Sequence, residues 1–188
     1  MARWKSPLPL RLVPETDSMG FLSREDGTTG LPVGDAHPGA FGYVRTNHVH
    51  EGIDLYCPEG TPVYAVEDGV VVAVIAFTGP SAVPPSPWWH DTQAILVEGE
   101  SGVVVYGEVG IGTGIREGVR VGAGEILGHV RQVLVKDKGR PMSMLHLELH
   151  EHGTRDAFEW TIENGRPETL IDPTVRLLGA AGEPLGGE

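Results

Sequence analysis

Residues 61–75 read TPVYAVEDGVVVAVI and contain two short runs rich in β-branched side chains. The runs cover residues 61–66 and 69–75, and each is bounded by glycine or proline. β-Branched side chains pack well on a pleated surface, whereas glycine and proline interrupt it. We therefore predict two β-strands here, separated by a turn.

The same pattern continues towards the C-terminus. Residues 92–98 and 102–109 form a second pair of runs, and the Gly-Glu-Ser-Gly of residues 99–102 predicts a hairpin between them. Residues 126–135 and 143–150 predict further strands. No segment carries an apolar stripe long enough to predict an amphipathic helix. The predicted fold class is mainly β, an antiparallel sheet with little helix.

The composition agrees with a β domain that has many turns. The 188 residues include 27 glycines and 15 prolines, together about 22% of the chain. These two types make up roughly 12% of an average protein. The 40% of hydrophobic residues is enough to bury a core. The single cysteine, Cys57, excludes an internal disulfide and a cysteine-based zinc cluster.

The charge of the chain excludes two classes of partner. With 14 basic and 26 acidic residues, the formal net charge is −12. Phosphate backbones and anionic membranes are bound by clustered lysine and arginine. We therefore expect no nucleic acid and no membrane as partner.

Three regions differ in composition. Residues 1–35 are rich in proline, glycine and charge without a sustained period, which predicts a loosely structured arm that adds little to the core. Residues 36–178 carry the strand pattern, and residues 179–188 are expected to be a disordered tail. No secretory signal is recognisable, and the longest apolar run, 70–77, is too short to cross a bilayer as a helix. We expect a cytoplasmic protein.

Two clusters contain residues that bind metal ions. His50 and Asp54 lie on either side of a glycine, and an imidazole and a carboxylate this close can supply two ligands to one divalent ion. In the second cluster, residues 144–150, His146 shares one face of the predicted strand with the residues two and four positions away.

The second cluster also has a simpler interpretation. Polar residues that alternate with leucines are typical of an edge strand with one solvated face. On this interpretation, His150 and His152 are solvated residues at the end of the strand.

Taken together, these motifs resemble the lysostaphin/LytM-type zinc endopeptidases. The similarity runs in order from about residue 41 to residue 177 and rests on several short motifs. They are FGYVR at 41–45, HEGIDL at 50–55, PEGTPVYAVEDGVV at 58–71, VYGEV at 105–109, GVRVGAGEILG at 118–128, MLHLEL at 144–149 and Asp172-Pro173. The resemblance implies a barrel-sandwich of antiparallel strands in residues 36–178, with a metallopeptidase site.

The resemblance implies a ligand set for one divalent ion, zinc. Carried over position by position, the ligands are His50, Asp54 and His146. Two imidazoles, one carboxylate and a water make a tetrahedral site with an open position.

The chain departs from the family at two positions. Family members that hydrolyse peptides carry two further histidines beside the metal, and the corresponding residues here are Glu108 and Met144. A thioether takes no proton from water near neutral pH, and the loss of a general base typically costs about 10²–10⁴ in rate. Glu108 is a candidate catalytic base or, alternatively, a partner that orients a metal-bound imidazole. We expect it to point with Tyr106 and Val104 towards the metal.

A proline-rich insertion at residues 78–90 ends in Trp88-Trp89-His90. Large aromatic side chains on a stiff loop either plug one end of a β-sandwich or form one wall of a cleft. His90 is a weaker candidate for the missing histidine. The candidates for lining the cleft are Trp88, Trp89, His90, Met144 and Tyr106.

The resemblance leads to two main hypotheses on function. The first is a zinc-dependent peptidase with atypical or reduced catalysis that cuts cell-wall (peptidoglycan) or glycine-rich peptides. The second is a catalytically silent zinc-containing module that binds a peptide or has a regulatory role. A lipoyl- or biotinyl-type carrier domain is disfavoured, because residues 119–128 contain no lysine to modify. A peptide is the expected partner, and the sequence leaves the oligomeric state open.

Overall fold

β-Strands dominate the part of the chain that the computed structural model describes, residues 3–17, 27–137, 139 and 141–181. The strands are β1 (Arg11–Glu15), β2 (Thr28–Pro32), β3 (Ile53–Tyr56), β4 (Pro62–Tyr64), β5 (Gly69–Thr78), β6 (Thr92–Gly99), β7 (Gly102–Ile111), β8 (Arg120–Val121), β9 (Ile126–Val130), β10 (Met144–His150) and β11 (Leu170–Ile171). One short helix, α1 (Thr174–Ala180), follows them. The predicted mainly β fold with little helix is confirmed.

Nine of these strands form one sheet in which all pairs are antiparallel. The main path runs β11-β10-β7-β6-β5-β8, β3 pairs with β10, and β9 pairs with β7 and β4. The predicted hairpin joins β6 to β7, with Gly99 opposite Gly102. The separate pair β1 and β2 is parallel.

Strand β10 lies inside the sheet and not at its edge. It pairs with β7 on one side and with β3 and β11 on the other, and all seven of its residues are buried. The interpretation of this segment as an edge strand with a solvated face is therefore wrong. Leu145, Leu147 and Leu149 point into the main hydrophobic core, whereas the residues between them form a buried polar face.

The N-terminal segment packs into the core. Trp4, Leu8, Leu12 and Leu31 are at most 3% exposed and belong to the same hydrophobic cluster as the leucines of β10. The segment is also tied by backbone hydrogen bonds, such as the one from the N–H of Tyr64 to the carbonyl of Pro7, 2.9 Å. The expectation of a loose arm that adds little to the core is wrong for the described residues. Residues 1–2 and 18–26 lie outside them.

The C-terminal segment returns to the sheet. Leu170 pairs with His150 through β11, and α1 buries Leu177 and Ala180. The disordered tail was predicted to begin at residue 179, which is too early, because Ala180 is packed. Residues 182–188 lie outside the described part of the chain. Within the described residues, no helix has the length and apolarity needed to span a membrane.

Candidate metal centre

Three side chains from distant parts of the sequence meet at one point of the sheet. His50 lies just before β3, Asp54 within β3 and His146 within β10. The antiparallel register of β3 and β10 places Asp54 directly opposite His146. Nδ1 of His146 lies 2.8 Å from Oδ1 of Asp54, and Nε2 of His50 lies 3.1 Å from that oxygen and 3.2 Å from Nδ1 of His146. The three residues that the resemblance implies as ligands thus lie together, and all are buried.

The loop that precedes β3 holds His50 in place. The backbone N–H of His50 donates to the carbonyl of Tyr43, and its own carbonyl accepts from the N–H of Gly42, both at 2.9 Å. Its Nδ1 donates to the carbonyl of Ala40 at 2.9 Å. Residues 40–43 therefore fix both the backbone and the ring orientation of this histidine.

When both rings are neutral, the inner ring nitrogens of the two histidines present lone pairs to the centre. The outer nitrogens, Nδ1 of His50 and Nε2 of His146, face the carbonyl of Ala40 and Oε1 of Glu148, which lies 2.9 Å away. Carbonyl and carboxylate oxygens only accept, so the outer nitrogens carry the protons. In neutral rings, two bare nitrogens then converge with the carboxylate of Asp54. Three such electron-pair donors repel one another unless a cation lies between them, and this set suits zinc.

In the metal-free chain, a proton supplies the positive charge. Burial by itself lowers the pKa of His146, but hydrogen bonds to Asp54 and Glu148 raise it well above its ordinary value. Burial raises the pKa of Asp54, yet the charge of His50 and hydrogen bonds from both histidines hold it well below the usual range. The cluster thus keeps Asp54 ionised and attracts one cation, so metal binding is expected to release a proton.

Gly52 leaves space for the ligand on β10. A β-carbon at this position would lie 2.8 Å from Nε2 of His146 and 2.5 Å from the carbonyl oxygen of Leu147. Real β-carbons do not approach other atoms so closely, and one of these neighbours is rigid backbone. The glycine between His50 and Asp54 is therefore required by close packing.

Arg45 forms an ion pair with the second carboxylate oxygen of Asp54. Its Nη2 lies 3.3 Å from Oδ2 of Asp54 and also donates to the carbonyl of Pro38 at 3.1 Å. One carboxylate oxygen is thus directed to the two histidines and the other to the guanidinium. The motif at residues 41–45 contained Arg45, but sequence reasoning gave it no role, because only the folded loop brings it to Asp54.

A β-bulge places Glu108 differently from the predicted alternation. Tyr106 of β7 pairs with Ile95 of β6, and Val109 pairs with Gln93. Between these pairs, Gly107 and Glu108 stand opposite Ala94 alone, and Glu108 has a φ of 64°. Tyr106 and Val104 face the hydrophobic core, where the N–H of Val66 donates to the hydroxyl oxygen of Tyr106 at 2.9 Å. The expectation that Glu108 shares their direction is therefore wrong. Tyr106 is fully buried and lines no cleft.

Glu108 nevertheless feels the charges of the cluster. It is 8% exposed, and its Oε2 has no hydrogen-bond partner among the described residues. Burial and, after it, the negative charge of Asp54 raise the pKa of Glu108 to about 8, while His146 and Arg45 act in the opposite direction. The chain thus holds a second, uncommitted carboxyl group near the three converging donors.

Sequence reasoning misjudged the polar face of β10. His150 is fully buried, and its Nε2 lies 2.7 Å from Oε2 of Glu148, whose other oxygen accepts from His146. Burial alone raises the pKa of Glu148, but hydrogen bonds from the two histidines lower it to about 2. The alternation identified the shared face correctly, and Glu148 on that face is one partner of His150, whereas the other, Thr169, comes from a distant part of the chain. His152 is exposed, as expected.

The remaining cleft candidates have different environments. Trp88 is 62% exposed and stands edge-on to Trp89, so it plugs no end of the sheet. The backbone of Trp89 bridges to Leu134, and no hydrogen bond or ring contact within the described residues joins this loop to the three clustered side chains. Met144 lies on β10 opposite Tyr56 and is 9% exposed.

Phe77, which the sequence did not indicate, contacts the cluster. Its ring centroid lies 5.5 Å from that of His146. A β-carbon on Gly107 would lie 2.5 Å from the ring of Phe77, so the glycine of the bulge makes room for it. Since β5 ends at Thr78, the proline-rich loop starts directly beside this aromatic contact.

Comparisons with known proteins give the following matches. The sequence model of peptidase family M23 matches residues 48–157. Among 19 matching solved chains, CbpA from L. salivarius REN is 19% identical, with a TM-score of 0.44, over 72% of this chain and 78% of that one. Csd3 from Helicobacter pylori is 18% identical, with a TM-score of 0.43, over 81% of this chain and 39% of that one. This chain thus spans well under half the length of Csd3. No curated protein matches it.

Proposed function

The chain belongs to peptidase family M23, and from this premise we propose that it is a zinc-dependent metallopeptidase that hydrolyses a peptide bond with atypical catalysis. The observation that supports the proposal is the buried cluster of His50, Asp54 and His146, whose donor atoms lie 2.8–3.2 Å apart. The outer nitrogens of both rings are already satisfied, so the inner nitrogens are free to bind a cation.

The chemistry divides between the ion and the chain. When bound, zinc acts as a Lewis acid on a peptide carbonyl and makes water a stronger nucleophile near neutral pH. His50, Asp54 and His146 would hold the ion, and Arg45 would keep the second oxygen of Asp54 occupied. The chain itself must still move a proton from the attacking water to the leaving amine, whose bond to the carbonyl carbon breaks.

Glu108 is the residue we assign to this proton. Met144 stands at the position of the family's usual proton acceptor, and a thioether cannot perform that task. Glu108 has a buried carboxyl oxygen without a hydrogen-bond partner among the described residues, close enough to Asp54 for that charge to raise its pKa. A cation at the cluster would lower this pKa again, towards the range of a general base.

A peptide is the proposed substrate class. The family resemblance supports cell-wall-type or glycine-rich peptides, which offer little side-chain bulk beside the bond that is cut. The cytoplasmic location stays a prediction.

A silent module is the second candidate. It is favoured by the same two substitutions, because Met144 is inert and Glu108 is largely buried. In this alternative, the chain keeps the metal cluster and a peptide-binding surface but has lost turnover.

Two measurements on wild-type protein purified without chelator separate these outcomes. Elemental analysis is expected to find one zinc per chain, and a mass-spectrometric screen of glycine-rich and murein-type peptides is expected to find slow cleavage. Chelator treatment should abolish cleavage, and added zinc should restore it. Absence of zinc would contradict both candidates. Stoichiometric zinc with a blank screen would favour the silent module, and Met144→His would then test whether turnover returns.

A further inference from the structure

A line of buried hydrogen bonds leads away from the candidate metal centre along one face of β10. Nε2 of His146 donates to Oε1 of Glu148 at 2.9 Å, and Nε2 of His150 donates to Oε2 of the same carboxylate at 2.7 Å. Nδ1 of His150 lies 3.0 Å from the hydroxyl of Thr169. The three residues of β10 are at most 6% exposed.

The carboxylate of Glu148 needs both imidazoles to keep one orientation. It is 3% exposed, so each of its oxygens must be satisfied by protein atoms. If the donor on Oε2 were lost, a buried anionic oxygen would lack a partner, and the carboxylate would turn to share its remaining donor or to reach water. Either movement changes the angle at which Oε1 accepts from His146.

Thr169 fixes His150 in turn. Because Nε2 of His150 must donate to a carboxylate, Nδ1 is the ring nitrogen that faces the Thr169 hydroxyl, and the hydrogen bond between them fixes the ring. The backbone of Thr169 is itself held, since its carbonyl accepts from the N–H of Glu151 at 2.8 Å. Thr169 lies outside residues 48–157, so this anchor comes from a part of the chain that the family match does not include.

We propose that His150 is a positioning residue for the metal ligand His146, acting through Glu148 and anchored by Thr169. It holds the Glu148 carboxylate in the orientation that keeps the proton on Nε2 of His146 and leaves Nδ1 bare for the ion. The inference rests on the proposed function, because it assigns His150 to the same metal site. It adds His150 to the residues that support the metal ligand, with an anchor, Thr169, from outside the matched region.

The decisive experiment measures zinc affinity by competition with a chromogenic chelator in the full-length chain. His150→Phe keeps a ring of similar size and removes the donor to Glu148, so we expect affinity to fall about tenfold, the lower end for loss of an outer-layer partner. His150→Gln retains an N–H donor at a similar reach and should recover most of that loss. Thr169→Val, which keeps the side-chain shape, should cause a smaller loss in the same direction.

Leu149→Ala is the matched control. Leu149 lies on the same strand, is 1% exposed and points into the apolar core, so this variant should lose stability but keep wild-type zinc affinity in its folded fraction. Equal loss of affinity in Leu149→Ala and His150→Phe would overturn the proposal, and so would unchanged affinity in His150→Phe. If His150→Phe does not fold, Thr169→Val with unchanged affinity would overturn it.

A second readout needs no bound metal. In ¹⁵N-histidine-labelled protein without zinc, His150→Phe should shift or broaden the hydrogen-bonded Nε2–H signal of His146, and His150→Gln should restore it. Wild-type protein that binds no zinc would contradict the proposed function alone. An Nε2–H signal that is identical in wild type and His150→Phe would contradict the positioning role.

Discussion

The two faces of β10 are both buried and serve different purposes. Leu145, Leu147 and Leu149 pack into the main hydrophobic cluster, whereas His146 and the two polar residues that follow it on the opposite face form a hydrogen-bonded line. Each buried leucine contributes about 1.5–3 kcal/mol through removal of apolar surface from water. The net contribution of the polar face is smaller, because each of its buried hydrogen bonds largely replaces a hydrogen bond to water.

The two faces of β10 thus separate the residues that stabilise the fold from the residues that form the candidate metal site. One strand supplies apolar side chains to the core at odd positions and site residues at even positions, so the rigidity of the core is passed directly to the candidate ligand. A change on one face should therefore affect mainly stability, and a change on the other should affect mainly metal binding. The following predictions test this separation.

The largest expected effect is on metal content. His146→Ala removes one of three candidate ligands, and we expect bound zinc to fall from one per chain to near zero while the fold persists. Elemental analysis after gel filtration, with circular dichroism to verify the fold, measures both. Zinc content equal to that of wild type would show that the ion, if any, binds elsewhere.

The matched change on the apolar face should affect stability. Leu147→Ala leaves a cavity next to His146, and large-to-small substitutions of this kind cost about 2–5 kcal/mol in the free energy of unfolding. Urea unfolding in the presence of chelator measures the loss without a contribution from bound metal. A loss below about 1 kcal/mol would show that this face of β10 is not the packed core that its burial indicates.

The third prediction concerns Glu108, which belongs to neither face of β10. If Glu108 carries the proton, Glu108→Gln should lower the cleavage rate at least about 10²-fold and leave zinc affinity unchanged. Steady-state kinetics and chelator competition on the same sample distinguish this from a role in orienting a ligand. In that second case zinc affinity should fall, by roughly 10–100-fold.

The smallest effect is a pH dependence of the metal-free chain. Burial raises the pKa of Glu108 from 4.5 to about 8, so the folded state binds this proton more tightly than the unfolded state does. The resulting stability is fully present below about pH 4.5 and is lost as the pH rises towards about 8. The Glu108→Gln variant has no carboxyl group to titrate at this position, so it should not lose this stability as the pH rises.

Urea midpoints in the presence of chelator test this pH dependence. The midpoint of Glu108→Gln relative to wild type should be higher at about pH 8 than at about pH 5. A difference between the two proteins that does not change with pH would show that Glu108 titrates normally.

Much of the fold was predictable because it depends on local patterns. The β-branched runs predicted β4, β5, β6 and β7 within a few residues, the alternating leucines were typical of a strand at β10, and the turn at residues 99–102 predicted the hairpin. The arm was misjudged because Trp4, Leu8 and Leu12 stand in a short stretch interrupted by prolines and charged residues, which gives no sustained pattern. Each is buried by a separate tertiary contact, which leaves no signal in a local window.

The candidate site was predictable only in part. The spacing of His50 and Asp54 and the alternation along β10 indicated which residues carry the chemistry, and the family resemblance that joined them is confirmed by the match to peptidase family M23. Glu108 lies near the cluster as expected, but Tyr106 and Val104 face the core, because a bulge with a positive φ at Glu108 breaks the period of two on which their shared direction depended.

The sequence by itself thus determined the fold class, the family and the residue types of the site, since these depend on composition, short motifs and local period. Only the tertiary structure decided that Asp54 stands opposite His146, that Arg45 takes the second oxygen of Asp54 and that His150 is buried against Glu148 and Thr169. These pairings join residues from separate loops and strands. Their partners are set by strand register and loop closure, which depend on the packing of the whole chain and not on any local stretch of it.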